Sequence, residues 1–371
     1  MKVPFLDLKG VNERFKEDFN SIFNEFQQEG FYILGNQLCN FEKEFAAYCN
    51  VKHSIGVGNG YDALFLLLRA YIELGKLKLR DEVIVPSNTF VATVLSVKNA
   101  GLKSVLVEPN INSHNINVTK VKDAITPKTK MIIVTHLYGQ LADMDSLRHI
   151  ANEKNLYLIA DAAQAHGAKN KKGYRAGAIA DAAIFSFYPS KNLGALGDGG
   201  AITTNDNELA NCVKQIRNYG SVEKYKHDSF GVNSRLDELQ AAFLRKKLLL
   251  LDSDNKHRRI IAKKYLEHIV NPLITLPFWD GLENHVFHLF VIQCEERDKL
   301  KAFLKEKNVE TLIHYPIAIQ KQKCFEEDFD LKPLELTEKL SKMVLSLPIS
   351  PVMNFKEVDY VINAVNQFKI S

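Results

Sequence analysis

Phe185-Ser186-Phe187-Tyr188-Pro189-Ser190-Lys191-Asn192-Leu193-Gly194, followed by Gly197-Asp198-Gly199-Gly200, is the stretch that decides the fold. The apolar residues 181–187 read as a buried strand, a Tyr-Pro-Ser turn then carries a lysine, and a glycine-rich turn sends the chain into a second strand at 200–204. The same short apolar runs recur upstream at 53–57, 82–85, 103–107, 131–135 and 156–160, which makes seven strands in all. Between most of them lie stretches with helical spacing, at 62–71, 89–99 and 144–154. Strands alternating with helices predict an α/β fold with a largely parallel sheet covered on both faces, and ligands bind such sheets at the carboxyl ends of the strands. Downstream, Ser234-Arg235-Leu236-Asp237 has the outline of a capping box, and the apolar spacing from Leu236 to Leu248 predicts a long helix leading out of this unit. A smaller α+β unit is expected beyond Pro272, with a strand at 286–293, a helix at 298–307, a strand near Thr311 and a last helix at 356–368. The expected division is a large domain over 1–250 and a small one over 251–371.

Composition excludes other classes. A chain of 371 residues, 46% hydrophobic and 25% charged, has the material for a sizeable core and is neither fibrous nor disordered. Net charge is only +4 and the basic clusters are short and mixed with acids, so no nucleic-acid partner is expected. The five cysteines show no Cys-x-x-Cys spacing, which argues against a disulfide framework or a zinc site and for a reducing, cytoplasmic setting. The longest uncharged stretch, 83–97, contains Pro86 and Asn88 and is too short to span a membrane; the charged amino terminus has no signal-peptide core.

Three segments carry chemistry. Gly56-Val57-Gly58-Asn59-Gly60-Tyr61-Asp62-Ala63 joins a strand to a helix, where free amides and the helix dipole suit a phosphate, although a tight turn alone explains it equally well. Asp161 ends the apolar run 156–160 and is followed by Gln164 and His166. Lys191 follows another strand on the same expected sheet edge. An amine, a carboxylate and a phosphate cup at one edge form the set that pyridoxal phosphate needs: a covalent anchor for its aldehyde, a partner for its pyridine nitrogen and a seat for its phosphate.

Gly-Asn-Gly-x-Asp-Ala-Leu, Pro-x-Asn-Thr-Phe, Asp-Ala-Ala-Gln-Ala-His-Gly-Ala, Ser-Phe-Tyr-Pro-x-Lys-Asn-Leu-Gly and Asn-Ser-Arg-Leu-Asp-Glu-Leu-Gln-Ala-Ala closely resemble the DegT/DnrJ/EryC1/StrS sugar aminotransferases, over residues 4 to about 320. The resemblance implies a fold-type I, pyridoxal-phosphate-dependent aminotransferase whose large domain holds a seven-stranded sheet. It implies that Lys191 forms the Schiff base, Asp161 pairs with the pyridine nitrogen, Gln164 bonds the ring hydroxyl and Phe90 stacks on the ring. Ser186 and the amides of Gly60 and Tyr61 would hold the phosphate, joined by Asn233 from the other subunit of a homodimer. From the residues alone, Phe90 reads equally as core and Asn233 as a helix-start residue. Tyr61 and Ser190 depart from the commoner pattern, and Tyr61 leaves phosphate binding at that position to the backbone.

His136 to Gly139, Lys191 to Gly200 and Arg217 to Tyr225 are similar to the members that act at carbon 3 of a dTDP-3-keto-6-deoxyhexose. That similarity implies an amino sugar made for surface polysaccharide, with L-glutamate as donor; the segment Glu73-Leu74-Gly75-Lys76-Leu77-Lys78 leans it toward the galactose configuration. Tyr188, His314 and Tyr315 are candidate substrate contacts. Four alternatives stand beside this reading: a 4-keto sugar aminotransferase, a dehydratase on the same scaffold, a nicotinamide-dependent oxidoreductase and a non-catalytic regulator. In the dehydratases a histidine replaces the lysine, and an oxidoreductase leaves Lys191 and Asp161 without work.

Overall fold

The computed structural model describes residues 1–329 and 333–370. Helices α1 (Leu8–Glu13), α2 (Lys16–Glu29) and α3 (Asn36–Cys49) lead in. The expected alternation follows: β1 (His53–Val57), α4 (Gly60–Glu73), β2 (Glu82–Pro86), α5 (Val91–Asn99), β3 (Lys103–Val107), α6 (Val118–Ala124), β4 (Thr129–Thr135), α7 (Met144–Lys154), β5 (Tyr157–Asp161), β6 (Ala182–Ser186), β7 (Gly200–Thr204) and α8 (Asn207–Ile216). A short hairpin, β8 (Ser221–Glu223) and β9 (Lys226–His227), precedes helices α9 (Glu238–Leu248) and α10 (Leu251–His268). The chain ends with β10 (Phe290–Gln293), α11 (Arg297–Glu306), α12 (Glu335–Met343), β11 (Val344–Leu347) and α13 (Phe355–Gln367).

The seven strands form one sheet in the order β1-β7-β6-β5-β4-β2-β3, with β7 antiparallel to both neighbours and the other pairs parallel. Apolar residues run nearly unbroken along these strands because both faces are covered. Val83 and Val85 of β2, with Met131 and Ile133 of β4, pack toward α4, α5 and α8. Ile84, Ile132 and Val134 pack the other way, toward α6 and α7, and further along that face Phe185 meets Phe41 and Phe45 of α3. The alternation is the two-residue period of a strand, with the core on both sides.

A second core gathers Tyr265 of α10, Phe290 of β10, Leu300 of α11, Leu345 of β11 and Val361 of α13, and it takes in Val3 from the amino terminus. Here the structure corrects several sequence expectations. Of residues 286–293 only Phe290–Gln293 is strand, and its partner is β11, which the sequence reading did not name. Residues near Thr311 form no strand; Leu312 makes only an isolated bridge to Ser346. Helix α9 starts at Glu238, two residues after Leu236, and the Ser234 hydroxyl does not cap it: it accepts from Gly58 N at 3.0 Å and donates to Asp62 Oδ2 at 2.7 Å. Among the described residues no helix is long and apolar enough to cross a membrane.

Candidate active site

Register alone brings the three chemical segments together. Val57 at the end of β1 pairs with Gly200, which pairs in turn with Ser186 at the end of β6, and Asp161 ends the neighbouring β5. A Cβ on Gly200 would lie 2.3 Å from the Asn59 carbonyl oxygen, and one on Gly60 would lie 2.6 Å from Ser186 Cβ. The glycines therefore permit the β1–α4 turn to close onto the end of β6.

At the start of α4 the Asn59 side chain accepts from Asp62 N at 2.8 Å. The backbone amides of Gly60 and Tyr61 meet no protein acceptor among the described residues. Two free donors at the positive end of a 14-residue helix, beside the Ser186 hydroxyl, form an anion cup.

Asp161 is 8% exposed. Thr93 Oγ1 donates to its Oδ2 at 2.9 Å and Ala163 N to its Oδ1 at 3.2 Å. Thr93 is held in turn by Thr89, and Thr89 by Thr135. Burial raises the pKa of the carboxyl, while the two hydrogen bonds and the Lys191 charge oppose that rise. Lys191 follows β6 in a turn closed by its own N–H to Tyr188 O at 2.8 Å. Burial pulls the amine down to about 8 against the opposing pull of Asp161.

Gln164 accepts from Tyr138 N at 2.6 Å through Oε1 and donates to the Tyr315 hydroxyl at 3.1 Å through Nε2. Phe90, 51% exposed at the N-cap of α5, lies with its ring 5.3 Å from that of Tyr315. His314 pairs with Ser346 through Nδ1, and Tyr188 is exposed on the rim. Asn233 is the residue the fold does not join to this group: it is exposed, and its Nδ2 donates to the Tyr219 hydroxyl at 2.7 Å.

The residues present fit pyridoxal phosphate. A cup with two unused amides, a buried carboxylate held by donors and an amine of lowered basicity stand at one sheet edge. The sequence reading missed Thr93, whose hydroxyl no local pattern marks. It also missed the role of Asn192 beside the lysine, which donates to Asn255 Oδ1 at 2.8 Å and Val286 O at 3.2 Å and meets His288 Nδ1 at 3.1 Å. Asn192 stood in a quoted motif, but its partners lie more than sixty residues away.

Fold and site together define an enzyme of the amino-group-transferring type. The chain matches the DegT/DnrJ/EryC1/StrS aminotransferase family over residues 13–366 and belongs to that family. It is 52% identical over 366 residues, with 99% of each chain covered, to the dTDP-3-amino-3,6-dideoxy-alpha-D-galactopyranose transaminase of Aneurinibacillus thermoaerophilus. Among solved structures, DesV of S. venezuelae in complex with a ketimine intermediate is similar at a TM-score of 0.94 and 43% identity, covering 99% of this chain and 98% of that one. NtdA of Bacillus subtilis with bound cofactor PMP is similar at 0.90 and 34% identity, covering 98% of this chain and 84% of that one.

Proposed function

We propose that this protein transfers an amino group from L-glutamate to carbon 3 of a dTDP-3-keto-6-deoxyhexose, giving a dTDP-3-amino-3,6-dideoxyhexose of galactose configuration. The observation that carries the reading is the 52% identity, over 99% of both chains, to a transaminase named for the galactose product. The 34% identity to a structure holding PMP supports pyridoxal phosphate as cofactor. When bound, that cofactor supplies an electron sink for the pair of electrons left when a proton leaves the substrate carbon.

The chain's own residues have defined parts in this reading. Gly60 N, Tyr61 N and Ser186 take the phosphate, and Asp161 keeps the pyridine nitrogen protonated. Gln164 donates to the ring hydroxyl, and Phe90 covers one ring face. Lys191 anchors the cofactor aldehyde and, once displaced by substrate, carries the proton between substrate and cofactor; an amine with a pKa of about 8 accepts and returns a proton near neutral pH. Tyr188, His314 and Tyr315 line the side from which the sugar enters. Asn233 reaches the phosphate of the other subunit in a homodimer. The chain divides into two domains, 1–250 and 251–371, the second reaching the site through Tyr315, whose hydroxyl accepts from Gln164 Nε2 at 3.1 Å, and the enzyme works in the cytoplasm toward surface polysaccharide. The separate core formed by α10 to α13 supports the division into domains.

Regiochemistry tests the reading. A reacting carbonyl must come within about 3 to 3.5 Å of the attacking group while the nucleotide is anchored elsewhere, and misplacement by about 1 Å costs on the order of a hundredfold in rate. With glutamate saturating, kcat/KM for the 3-keto galactose compound is expected to exceed that for the glucose epimer modestly and that for the 4-keto isomer by about a hundredfold. Equal values for 3-keto and 4-keto compounds, or a preference for the latter, contradict the assignment.

A further inference from the structure

Gln164 has two chemically different ends, and its surroundings decide which faces where. The N–H of Tyr138 donates to Oε1 at 2.6 Å. An N–H can only donate, so the oxygen end is fixed on Tyr138 and the nitrogen end must face the other way. Nε2 carries two hydrogens, and one goes to the Tyr315 hydroxyl at 3.1 Å. The second has no acceptor among the described residues.

Tyr315 is itself held from several sides. Its ring lies 5.3 Å from that of Phe90 at a tilt of 38°. It packs against a cluster of Leu137, Tyr138, Leu289, Leu340 and Val344. The preceding residue is tied down too, since the Tyr138 hydroxyl donates to His314 O and His314 Nδ1 pairs with Ser346 Oγ at 2.8 Å. Burial keeps the Tyr315 hydroxyl protonated.

We propose that Tyr315 is a positioning residue for the cofactor ring: it holds Gln164 so that the free amide hydrogen is presented to the ring oxygen, and it sets the tilt of Phe90. The inference rests on the reading that Gln164 serves the ring hydroxyl, and it moves Tyr315 from the sugar side of the site to the cofactor side. A hydrogen bond to an oxygen that bears negative charge favours the ionised form. Gln164, correctly oriented, therefore lowers the pH at which the visible absorption of the bound cofactor changes. The titratable groups around the pair are Asp161 of β5, Lys191 after β6, Tyr138 after β4, and His314 and His288. Tyr315→Phe removes one oxygen and leaves all of them in place.

The test is a pH titration of that absorption in wild-type, Tyr315→Phe, Gln164→Ala and doubly substituted protein, each reconstituted with pyridoxal phosphate and confirmed folded by thermal unfolding. Tyr315→Phe is expected to raise the midpoint by about half a unit to one unit, a fraction of what a charge-assisted hydrogen bond contributes. Gln164→Ala should raise it at least as much, and the double variant no further, because Tyr315 acts through Gln164. An unchanged midpoint in Tyr315→Phe beside a raised one in Gln164→Ala overturns the inference and returns Tyr315 to the sugar side. Additive shifts overturn it as well, since Tyr315 would then act on the ring directly. No shift in Gln164→Ala overturns the underlying reading of Gln164, and the inference with it.

Discussion

Burial acts on Lys191 and Asp161 in the same sense, toward the neutral form, while each charge supports the other. An amine attacks an aldehyde only when unprotonated. Cofactor-free protein should therefore react with pyridoxal phosphate at a rate that rises with pH around a midpoint near 8; an ordinary lysine would give a midpoint near 10.4. The sign extends to a variant: Asp161→Asn removes the charge that holds the ammonium form, so its midpoint should move toward lower pH. Stopped-flow absorbance measures both, and a wild-type midpoint at the ordinary lysine value contradicts the geometry. Lys191 and Asp161 were legible in the sequence because each follows an apolar run that must be a buried strand. Thr93 was not, since a threonine in the first turn of a helix carries no mark of the carboxylate it meets across the sheet edge. Asn233 gained its role from resemblance alone, and within one chain its side chain donates to the Tyr219 hydroxyl.

The strands were read nearly to the residue because two buried faces leave their middles almost wholly apolar, and Met144–Lys154 was read to the residue because its periodicity and boundaries agree. Elements whose partners are remote were read poorly. β11 is four residues with a serine in the middle, and only pairing with β10 makes it a strand. The outline at Ser234 to Asp237 misled because a capping pattern states which bonds are possible and not which neighbours compete for them. The adjacent carboxylate shows the same principle with greater energetic weight. Glu238, 1% exposed, accepts from Gly35 N at 2.8 Å, Gln37 N at 2.7 Å and Leu38 N at 3.0 Å, and so caps α3 from the first turn of α9. Glu238→Ala leaves three donors of a helix start without their acceptor and is expected to cost about 3 kcal/mol of stability, with Glu238→Gln losing less. Urea unfolding measures it; a loss within about 0.5 kcal/mol, the range of a neutral surface substitution, contradicts the role.

The loop that Glu238 holds displays Phe31, Tyr32, Ile33 and Leu34, and the hairpin segment before Asn233 displays Tyr225 and Phe230, which are 85% and 95% exposed. Apolar side chains so exposed in one chain are expected to be covered by another, which supports the proposed homodimer. Mixing inactive Lys191→Ala with impaired Asn233→Ala subunits should raise activity above that of either variant alone, because each heterodimer regains one site with both residues intact; with free exchange about a quarter of the wild-type sites return. No recovery under conditions that demonstrably exchange subunits contradicts the crossed arrangement. The whole molecule's claim, that this fold moves an amino group to carbon 3 of a sugar nucleotide, is tested most directly by a single turnover. Protein carrying the amine form of the cofactor is mixed with dTDP-3-keto-6-deoxygalactose in the absence of any donor, and the sugar product is identified by mass and by the position of its nitrogen. The account predicts one 3-amino sugar per subunit from the wild type and none from Lys191→Ala; no amino sugar from the wild type, or nitrogen at carbon 4, would contradict it.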